Sequence, residues 1–432
     1  MSGGTADAIQ ARLQRIYGGD PAVEVPAIRD RIQQLIEVHR TQGAVETVRA
    51  IDQTSAMLIT YADQVSAPGQ GALTSLEQFL NETGLSRSLS HIHFLPFFPY
   101  SSDDGFSVID FRQLDAVHGN WEDVRRLAEQ YGLMFDLVLN HVSSQSDWFQ
   151  DYLQGQSPCD KYFIEVDPQT DVSQVTRPRA LPLLTAVDTS RGRRYVWTTF
   201  SADQIDLNYA NPSVLIEMID VLLFFVSQGA QLIRLDAIAY LWKTPGTSCI
   251  HLPETHEVVK LLRDVLEAVP TDVRLITETN VPHAENVSYF GEGDEAHLVY
   301  QFSLPPLLLE AMLSQDASAL EAWMSNLAPP PAGCTFFNFT ASHDGIGVRP
   351  LEGLVSASRL QNLVEAVRAR GGRVGMKTNP DGTESPYELN ITYFSALADP
   401  QDSLQVRRFL TTQAVMLGLQ GLPGIYFHSL VG

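Results

Sequence analysis

Cysteine is scarce in this chain, which contains only Cys159, Cys249 and Cys334. An odd and widely spaced set argues against a disulfide framework and is typical of a reducing compartment. The N-terminus has no apolar stretch of the signal-peptide kind, and no run approaches the roughly 18–20 apolar residues that span a bilayer. We therefore expect a cytoplasmic protein that does not associate with membranes.

Basic residues are also few, 29 against 51 acidic ones, and the formal net charge is −22. Such a charge repels nucleic acids and anionic lipid surfaces, although it also simply keeps an enzyme dispersed in water. The sequence contains neither a P-loop nor a glycine-rich dinucleotide fingerprint after a strand. Nucleic acid is therefore a poor partner, and the common nucleotide-binding classes are disfavoured.

Hydrophobic residues make up 44% of the 432 positions, enough for a large buried core. Apolar spacing of three and four residues predicts an N-terminal helical extension over residues 1–52. From there on, short apolar runs alternate with amphipathic segments, the pattern of βαβ units. The predicted strands are Met57–Tyr61, His91–Phe97, Leu133–His141, Leu232–Ala237, Arg274–Glu278, Leu298–Phe302, Thr335–Ser342 and Gly424–Phe427. Eight such repeats predict an α/β fold, a closed (β/α)8 TIM barrel.

The predicted barrel is interrupted between its third and fourth strands. Residues 53–142 form its first part and residues 206–432 its second. Residues 143–205, between them, are rich in Pro, Asp, Ser and Gly, and we predict a small inserted subdomain over the barrel mouth. No helix is expected after the eighth strand, so we predict that exposed apolar surface at this edge lowers the stability of the chain.

Polar side chains occur at the ends of several predicted strands, where the catalytic groups of such barrels lie. In chain order they are Asp136, Asn140, His141, Arg234, Asp236, Glu278, His343 and Asp344. Any one of them alone could be a loop cap, an ion-pair partner or a satisfied core residue. Their ordered occurrence on the third, fourth, fifth and seventh strands favours a catalytic site.

Two of these carboxyls have surroundings suited to glycoside chemistry. The strand period of two puts Arg234 and Asp236 on one face, so the guanidinium would keep this carboxylate ionised as a nucleophile. Glu278 follows an apolar strand, and burial would raise its pKa so that it carries a proton to donate. Two such carboxyls about 5 Å apart cleave a glycoside with retention through a covalent glycosyl-enzyme. Sugar hydroxyls would be bound by His141, His343 and Asp344.

The ordered set resembles the four signature regions of the α-amylase clan, glycoside hydrolase family 13. Longer segments resemble its sucrose phosphorylase subfamily, namely LPFFPYSSDDGFSVIDF, VTRPRALPLLT, VWTTFSADQIDLNY, IRLDAIAYLWK, ITETNVPHAEN and FNFTASHDGIG. The helical N-terminus and ITETNVPH are more similar to the glucosylglycerate phosphorylase branch than to sucrose phosphorylase itself. The resemblance covers essentially the whole chain.

This resemblance implies a role for each matching residue. It makes Asp236 the nucleophile, Glu278 the general acid/base and Asp344 the transition-state stabiliser. Arg179 matches an arginine that contacts phosphate, although an exposed arginine here could also be merely solvated. Tyr387 matches a residue of a mobile acceptor loop. The other matches belong to the glucose subsite: Asp103, Phe106, His141, Phe200, Gln204, Arg234 and His343.

The resemblance further implies a retaining phosphorylase that yields α-glucose 1-phosphate. The implied donor is glucosylglycerate, with sucrose or sucrose 6′-phosphate as alternatives. An α-glucosidase or transglucosidase with the same carboxylates remains open, as does a non-catalytic barrel. The only partners expected are a sugar and phosphate, the latter as co-substrate, with no other cofactor and no metal. The oligomeric state is left open.

Two features of the family bear on this chain in particular. Asn140 matches a calcium ligand of α-amylases, but the phosphorylases need no metal. The family normally continues past the eighth strand with a helix, a small β-domain and an arginine that pairs with the residue matching Asp103. These elements would lie beyond Gly432 or be missing, so we expect Asp103 to lack an arginine partner.

Overall fold

A closed barrel of eight parallel strands forms the centre of the structure, a computed structural model that describes residues 3–42, 49–179, 181–270, 272–378, 383–399 and 401–431. The barrel strands are β1 (Met57–Thr60), β2 (His91–Phe94), β3 (Gly132–Val138), β4 (Ala230–Asp236), β5 (Arg274–Thr277), β6 (Leu298–Tyr300), β7 (Thr335–Phe339) and β8 (Leu422–Tyr426). Each strand pairs with its neighbours in sequence, and β8 closes the barrel against β1. The predicted (β/α)8 barrel is therefore confirmed, with all eight predicted strands present.

Helices surround the barrel and extend from it. They are α1 (Gly3–Tyr17), α2 (Val25–Gln42), α3 (Ala72–Glu82), α4 (Trp121–Ala128), α5 (Asp147–Gln154), α6 (Pro212–Ser227), α7 (Pro253–Ala268), α8 (His283–Val287), α9 (Leu304–Ser314), α10 (Ser318–Asn326), α11 (Ala357–Ala369), α12 (Tyr393–Ala396), α13 (Gln405–Gly418) and α14 (Phe427–Val431). Short strands outside the barrel are His141–Ser143, Leu184–Thr189, Gly192–Trp197, Gln204–Asp206, Ile346–Gly347, Arg373–Thr378 and Glu384–Asn390.

Some barrel strands begin or end at residues other than the predicted ones. The third predicted strand reaches His141, but β3 ends before it, and His141 begins an antiparallel pair with Gln204–Asp206. The eighth strand starts earlier than predicted, at Leu422, which pairs with Phe337 of β7. Proline has no N–H to donate to a sheet, so the sequence favours a strand that begins after Pro423, yet the barrel register continues through this residue.

The barrel strands are buried, as expected of a parallel sheet covered by helices. Every residue of β3 and β4 is buried. Between the sheet and α6, Phe98 stacks on Phe225 with ring centroids 5.1 Å apart. Phe135 of β3 meets the Phe225 ring edge-on at 5.8 Å. This close packing gives the polar side chains at the strand ends a rigid base.

The N-terminal helices α1 and α2 pack against α7 and α6 on the outside of the barrel. Arg12 of α1 donates to Asp264 at 3.2 Å and to Asp294 at 3.0 Å. The buried hydroxyl of Tyr17 donates to the carbonyl of Tyr209, 2.8 Å away. These contacts attach the helical N-terminus to the barrel; residues 43–48 of the predicted extension lie outside the described residues.

Residues 143–205 contain α5 and an antiparallel hairpin of Leu184–Thr189 with Gly192–Trp197. Trp197 is buried in a small apolar cluster together with Cys249, which comes from the loop after β4. Side chains of this segment line the cavity at the C-terminal ends of the barrel strands. The segment therefore lies beside the barrel mouth.

A second excursion, which the sequence pattern does not reveal, lies between β7 and β8. The strands Ile346–Gly347, Arg373–Thr378 and Glu384–Asn390 form an antiparallel sheet. This sheet packs with α9, α11 and α13 around an apolar core separate from that of the barrel. Polar residues and glycine interrupt these strands, so their hydrophobic alternation is too weak to predict them.

A short helix, α14, follows β8, where the sequence predicts none. It begins with Phe427, whose ring lies 5.7 Å from that of Phe79 and anchors the turn on α3. The outer face of α13 exposes Val406, Leu410 and Leu417, each over more than half of its surface. Within the described ranges, no helix is long and apolar enough to cross a membrane.

Candidate active site

A cavity of about 670 Å³ lies at the C-terminal ends of the barrel strands. All twelve site residues proposed from the sequence line it: Asp103, Phe106, His141, Arg179, Phe200, Gln204, Arg234, Asp236, Glu278, His343, Asp344 and Tyr387. The barrel loops supply most of them, and the two excursions supply the rest. The volume is typical of a small-molecule site.

Arg234 lies two residues before Asp236 on β4 and binds its carboxylate. Its Nη1 lies 2.7 Å from Asp236 Oδ1 and also donates to Asp136 of β3. The second oxygen of Asp136 lies 2.7 Å from Nε2 of His93. Burial alone would raise the pKa of Asp136, but Arg234 and His93 lower it to about 2. Asp136 is therefore a fixed negative charge that orients Arg234. His93 is not predicted by the sequence because it lies inside an apolar strand.

Two aromatic rings enclose the Arg234 guanidinium. Its carbon lies 5.6 Å from the ring centroid of Phe106 and 5.6 Å from that of Tyr300. Such cation–π contacts restrict the guanidinium in addition to its hydrogen bonds. Tyr300 is not among the predicted site residues, although its position at the end of β6 is the signal that could have identified it.

Glu278 lies just beyond β5, and its Oε2 accepts a hydrogen bond from the Ala237 backbone N–H at 3.0 Å. Burial raises the pKa of Glu278, and Asp344 adds to this against the opposing effect of Arg234. Burial raises the pKa of Asp236 well above its usual range. The direct hydrogen bond from Arg234 opposes this shift and favours the ionised form of Asp236. A charged donor thus holds Asp236, whereas the donor to Glu278 is a neutral backbone N–H.

Asp103 has an arginine partner, contrary to the expectation from the sequence. Arg179 Nη2 lies 3.1 Å from Asp103 Oδ2 and 3.3 Å from Oδ1. Gln204 Nε2 donates to the same carboxylate at 2.9 Å. The partner comes from the segment before β4 because that segment folds back over the barrel. His141, next to Gln204, lies with Nε2 2.9 Å from the carbonyl of Phe106.

His343 and Asp344 follow β7 and lie side by side. The His343 ring stacks on Phe106 with centroids 4.8 Å apart and planes 9° from parallel. Burial lowers the pKa of His343, so the ring is neutral at pH 7. The Asp344 side chain is 50% exposed, and its Oδ2 lies 3.4 Å from His343 Nε2. This carboxylate is therefore accessible to a ligand in the cavity.

Two further lining residues come from the strand Glu384–Asn390. Tyr387 accepts the Val348 N–H through its carbonyl at 2.9 Å, which holds its side chain at the cavity wall. Glu388 also lines the cavity, and its Oε1 accepts the Gly345 N–H at 3.0 Å. Burial raises the pKa of Glu388. The sequence does not predict Glu388, since one acidic residue between polar neighbours carries no signal.

Asn140 lies beside a buried ammonium group. Lys243 Nζ is 2.5 Å from Asn140 Oδ1 and 2.7 Å from Asp206 Oδ2. The Thr199 N–H donates to the other oxygen of Asp206 at 2.9 Å. These oxygens are neutralised by a protein cation, so they do not fit a calcium ion. In the described part of the chain, no group of three or more His, Cys, Asp and Glu side chains could hold a metal.

A parallel barrel with two carboxyls at the C-terminal strand ends, one of them held by an arginine, is an arrangement found in retaining glycoside-active enzymes. The family model described as alpha amylase, catalytic domain, matches residues 78–329. The chain is 55%, 51% and 48% identical to the glucosylglycerate phosphorylases of Spirochaeta thermophila, Escherichia coli and Allomeiothermus silvanus, respectively. These alignments cover 88%, 88% and 100% of the chain and 65%, 69% and 74% of the relatives.

The crystal structure of sucrose 6F-phosphate phosphorylase from Thermoanaerobacter thermosaccharolyticum is similar in three dimensions. It superposes with a TM-score of 0.77 at 27% identity, covering 90% of this chain and 79% of that one. The chain belongs to the α-amylase family and, within it, to the group of the glucosylglycerate and sucrose phosphorylases. This agrees with the resemblance drawn from the motifs. Against the relative from Spirochaeta thermophila, the chain spans just under two thirds of the length.

Proposed function

We propose that this chain carries the catalytic site of a retaining α-glucosyl phosphorylase, a hexosyltransferase that moves glucose from glucosylglycerate to inorganic phosphate. The observation that carries the proposal is the 2.7 Å contact of Arg234 with Asp236 beside a half-buried Glu278, which accepts a hydrogen bond from a neutral N–H. The relatives named glucosylglycerate phosphorylase, at 48% to 55% identity, support this choice of donor.

In the first step, Glu278 gives its proton to the glycosidic oxygen while an oxygen of Asp236 attacks the anomeric carbon. The bond between that carbon and the glycosidic oxygen breaks, glycerate leaves with its hydroxyl restored, and glucose remains as an ester of Asp236. Arg234 keeps the Asp236 carboxylate ionised and oriented until it reacts. Asp344 binds hydroxyls of the distorted ring and stabilises the transition state.

In the second step, an oxygen of inorganic phosphate attacks the same carbon from the face that the leaving group vacated. The bond to Asp236 breaks, and two inversions give α-glucose 1-phosphate with retained configuration. Glu278, now a carboxylate, takes up the proton of the attacking phosphate oxygen. Phosphate enters a cavity lined by several carboxylates, so it needs a cation, and Arg179 at the cavity wall supplies one.

The test is to incubate the chain with glucosylglycerate, with and without inorganic phosphate, and to follow the anomeric protons by NMR. Formation of α-glucose 1-phosphate only with phosphate supports the proposal. Equal release of free glucose in both reactions would identify an α-glucosidase, and transfer to added sugars without phosphate a transglucosidase. Parallel reactions with sucrose and sucrose 6′-phosphate show which acceptor moiety the site prefers. The Asp236→Asn variant serves as the inactive control.

The proposed enzyme is cytoplasmic and needs no metal or organic cofactor. The three free thiols support a reducing compartment. The bonds of Lys243 to Asn140 and Asp206 support chemistry without calcium. Dialysis against EDTA should therefore leave glucosyl transfer unchanged, and loss of activity that calcium restores would contradict this part of the proposal.

A further inference from the structure

The residue after Asp236 has an unusual backbone conformation. Ala237 has φ 49° and ψ 29°, in the left-handed region that residues with a side chain rarely adopt. A 3-10 helix, Ile238–Tyr240, follows directly. The Tyr240 N–H donates to the Ala237 carbonyl at 3.1 Å, and this bond stabilises the turn. Ala237 also lines the cavity. Disfavoured backbone conformations of this kind concentrate at functional sites.

The peptide N–H at the start of this turn faces the carboxyl of Glu278. The nitrogen lies 3.0 Å from Glu278 Oε2. The strand register brings the two segments together, since the Glu278 N–H donates to the Leu235 carbonyl at 3.2 Å. The end of β4 sets the direction of this N–H, and the left-handed turn at Ala237 carries the chain away after it.

We infer that the Ala237 N–H is the group that positions Glu278 as general acid, and that it places the transferable proton on Oε1. This inference rests on the proposed role of Glu278. An oxygen that accepts an N–H hydrogen bond at 3.0 Å is the bare oxygen of a protonated carboxyl, so the proton lies on the other oxygen, Oε1. Oε1 is therefore the atom that meets the glycosidic oxygen.

The same turn links the two catalytic carboxyls. Asp236 is the last residue of β4, and the next peptide N–H binds Glu278, so one peptide group links the nucleophile to the acid. Retention requires the separation of these two carboxyls to be kept close to about 5 Å. Ala237 is thus a positioning residue, and its side chain takes no part in the chemistry.

The test replaces the Ala237 nitrogen by oxygen, through incorporation of lactic acid at this position, which deletes the N–H and keeps the methyl group. The hydrogen bond favours ionised Glu278, so its loss should move the alkaline limb of the kcat/KM profile up by about one pH unit. We expect kcat on glucosylglycerate to fall about tenfold with KM for this donor within about twofold, because only the acid is displaced. The glucosylation step with α-glucosyl fluoride, which needs no proton, should be unchanged in single-turnover experiments.

Two controls separate the N–H from the turn itself. Ala237→Gly keeps the N–H and adopts the left-handed conformation without strain, so the pKa of Glu278, measured by NMR titration, should stay that of the unaltered chain. An ester at Ala239, in the same 3-10 turn, should likewise leave this pKa unchanged. The other groups that act electrostatically on Glu278 or are acted on by it are identical in all variants: Asp136, Arg234, Asp236, Tyr240, Tyr300, Asp344 and Tyr387.

An unchanged pH limb and an unchanged leaving-group dependence in the ester variant would overturn the inference. A shifted Glu278 pKa in Ala237→Gly would also overturn it, because the side chain and not the N–H would then set that pKa. The proposed function is judged separately from the products of the unaltered chain, and Glu278 serves as acid whether phosphate or water is the acceptor. NMR titration of 13C-labelled Glu278 measures the same pKa shift without any turnover.

Discussion

Arg179 and Asp103, which are 76 residues apart in sequence, form an ion pair at the cavity wall. The distance from Arg179 Nη2 to Asp103 Oδ2 is 3.1 Å. The Arg179 guanidinium also lies 5.8 Å from the ring centroid of Phe200. Asp103 therefore neutralises the cation that we assign to phosphate. Because a sugar hydroxyl and Arg179 would compete for the same carboxylate oxygens, we expect glucose bound at Asp103 to release Arg179 toward the incoming anion.

Arg179→Ala should raise the KM for phosphate about ten- to a hundredfold, because a charge-assisted contact is worth about 1.5–3 kcal/mol. The KM for the donor should change far less. Initial rates with each substrate varied in turn measure both constants. Arg177→Ala, two residues away in the same segment, is the matched control and should leave both near their original values. Equal increases in the two constants would show that Arg179 serves sugar binding instead.

Asp236→Asn should abolish turnover and leave the fold intact. The amide keeps the shape of the side chain but cannot form the glycosyl ester, and the remaining groups cannot replace a nucleophile. Activity assays and circular dichroism check both statements. Asp264→Asn removes a carboxylate that pairs with Arg12 far from the cavity and should stay active. Near-normal turnover in Asp236→Asn would refute the assignment of the nucleophile.

Glu278→Gln should lower kcat on glucosylglycerate by about 10²–10⁴-fold, the usual contribution of a general acid. The glucosylation step with α-glucosyl fluoride should be largely spared, since fluoride leaves without a proton. Comparison of the two donors in single-turnover experiments measures the difference. If the rate of glucosylation fell equally with both donors, Glu278 would act on substrate binding rather than on the leaving group.

Asp136→Asn should change how stability depends on pH. The folded-state pKa of Asp136 is lowered to about 2, because Arg234 and His93 outweigh burial, from an ordinary value of 3.8. A group with a depressed pKa contributes stability that is present above its unfolded value and lost as the pH falls toward the folded one. The contribution is about 2 kcal/mol.

The unaltered chain should have the larger unfolding free energy at pH 5. Its difference from Asp136→Asn should become smaller as the pH falls from about 5 toward 3. Urea denaturation at each pH measures it. Asp264→Asn is the control, because burial raises the pKa of Asp264 and the narrowing should not occur. Parallel stability profiles for Asp136→Asn and the unaltered chain would contradict the interpretation.

Lys243→Met should destabilise the fold by about 3–5 kcal/mol, since it leaves Asp206 buried without its cation. The double variant Lys243→Met with Asp206→Asn should lose less than the sum of the single changes. Lys260→Met, which removes longer and more exposed ion pairs, should cost below about 1 kcal/mol. Thermal and urea denaturation give these values, and additive losses would show that the pair is not coupled.

The barrel and the identity of most site residues could be predicted from the sequence, because the signals are local. A buried strand and the amphipathic helix after it each have a pattern that can be read within a short segment of sequence. The two-residue spacing of Arg234 and Asp236 is equally local. The sheet Ile346–Gly347, Arg373–Thr378 and Glu384–Asn390 could not be predicted, since its strands lack regular alternation. Tyr300 and His93 were missed because their neighbours in sequence are those of ordinary core strands.

The sequence by itself determined which chemical groups stand at the strand ends, since periodicity decides which side chains share a face. Only the tertiary structure decided their partners. The bond of Arg179 to Asp103 spans 76 residues and that of the Ala237 N–H to Glu278 spans 41. Neither follows from local pattern, because each depends on loop closure between distant segments. The fold therefore decides which group each of these carboxyls meets.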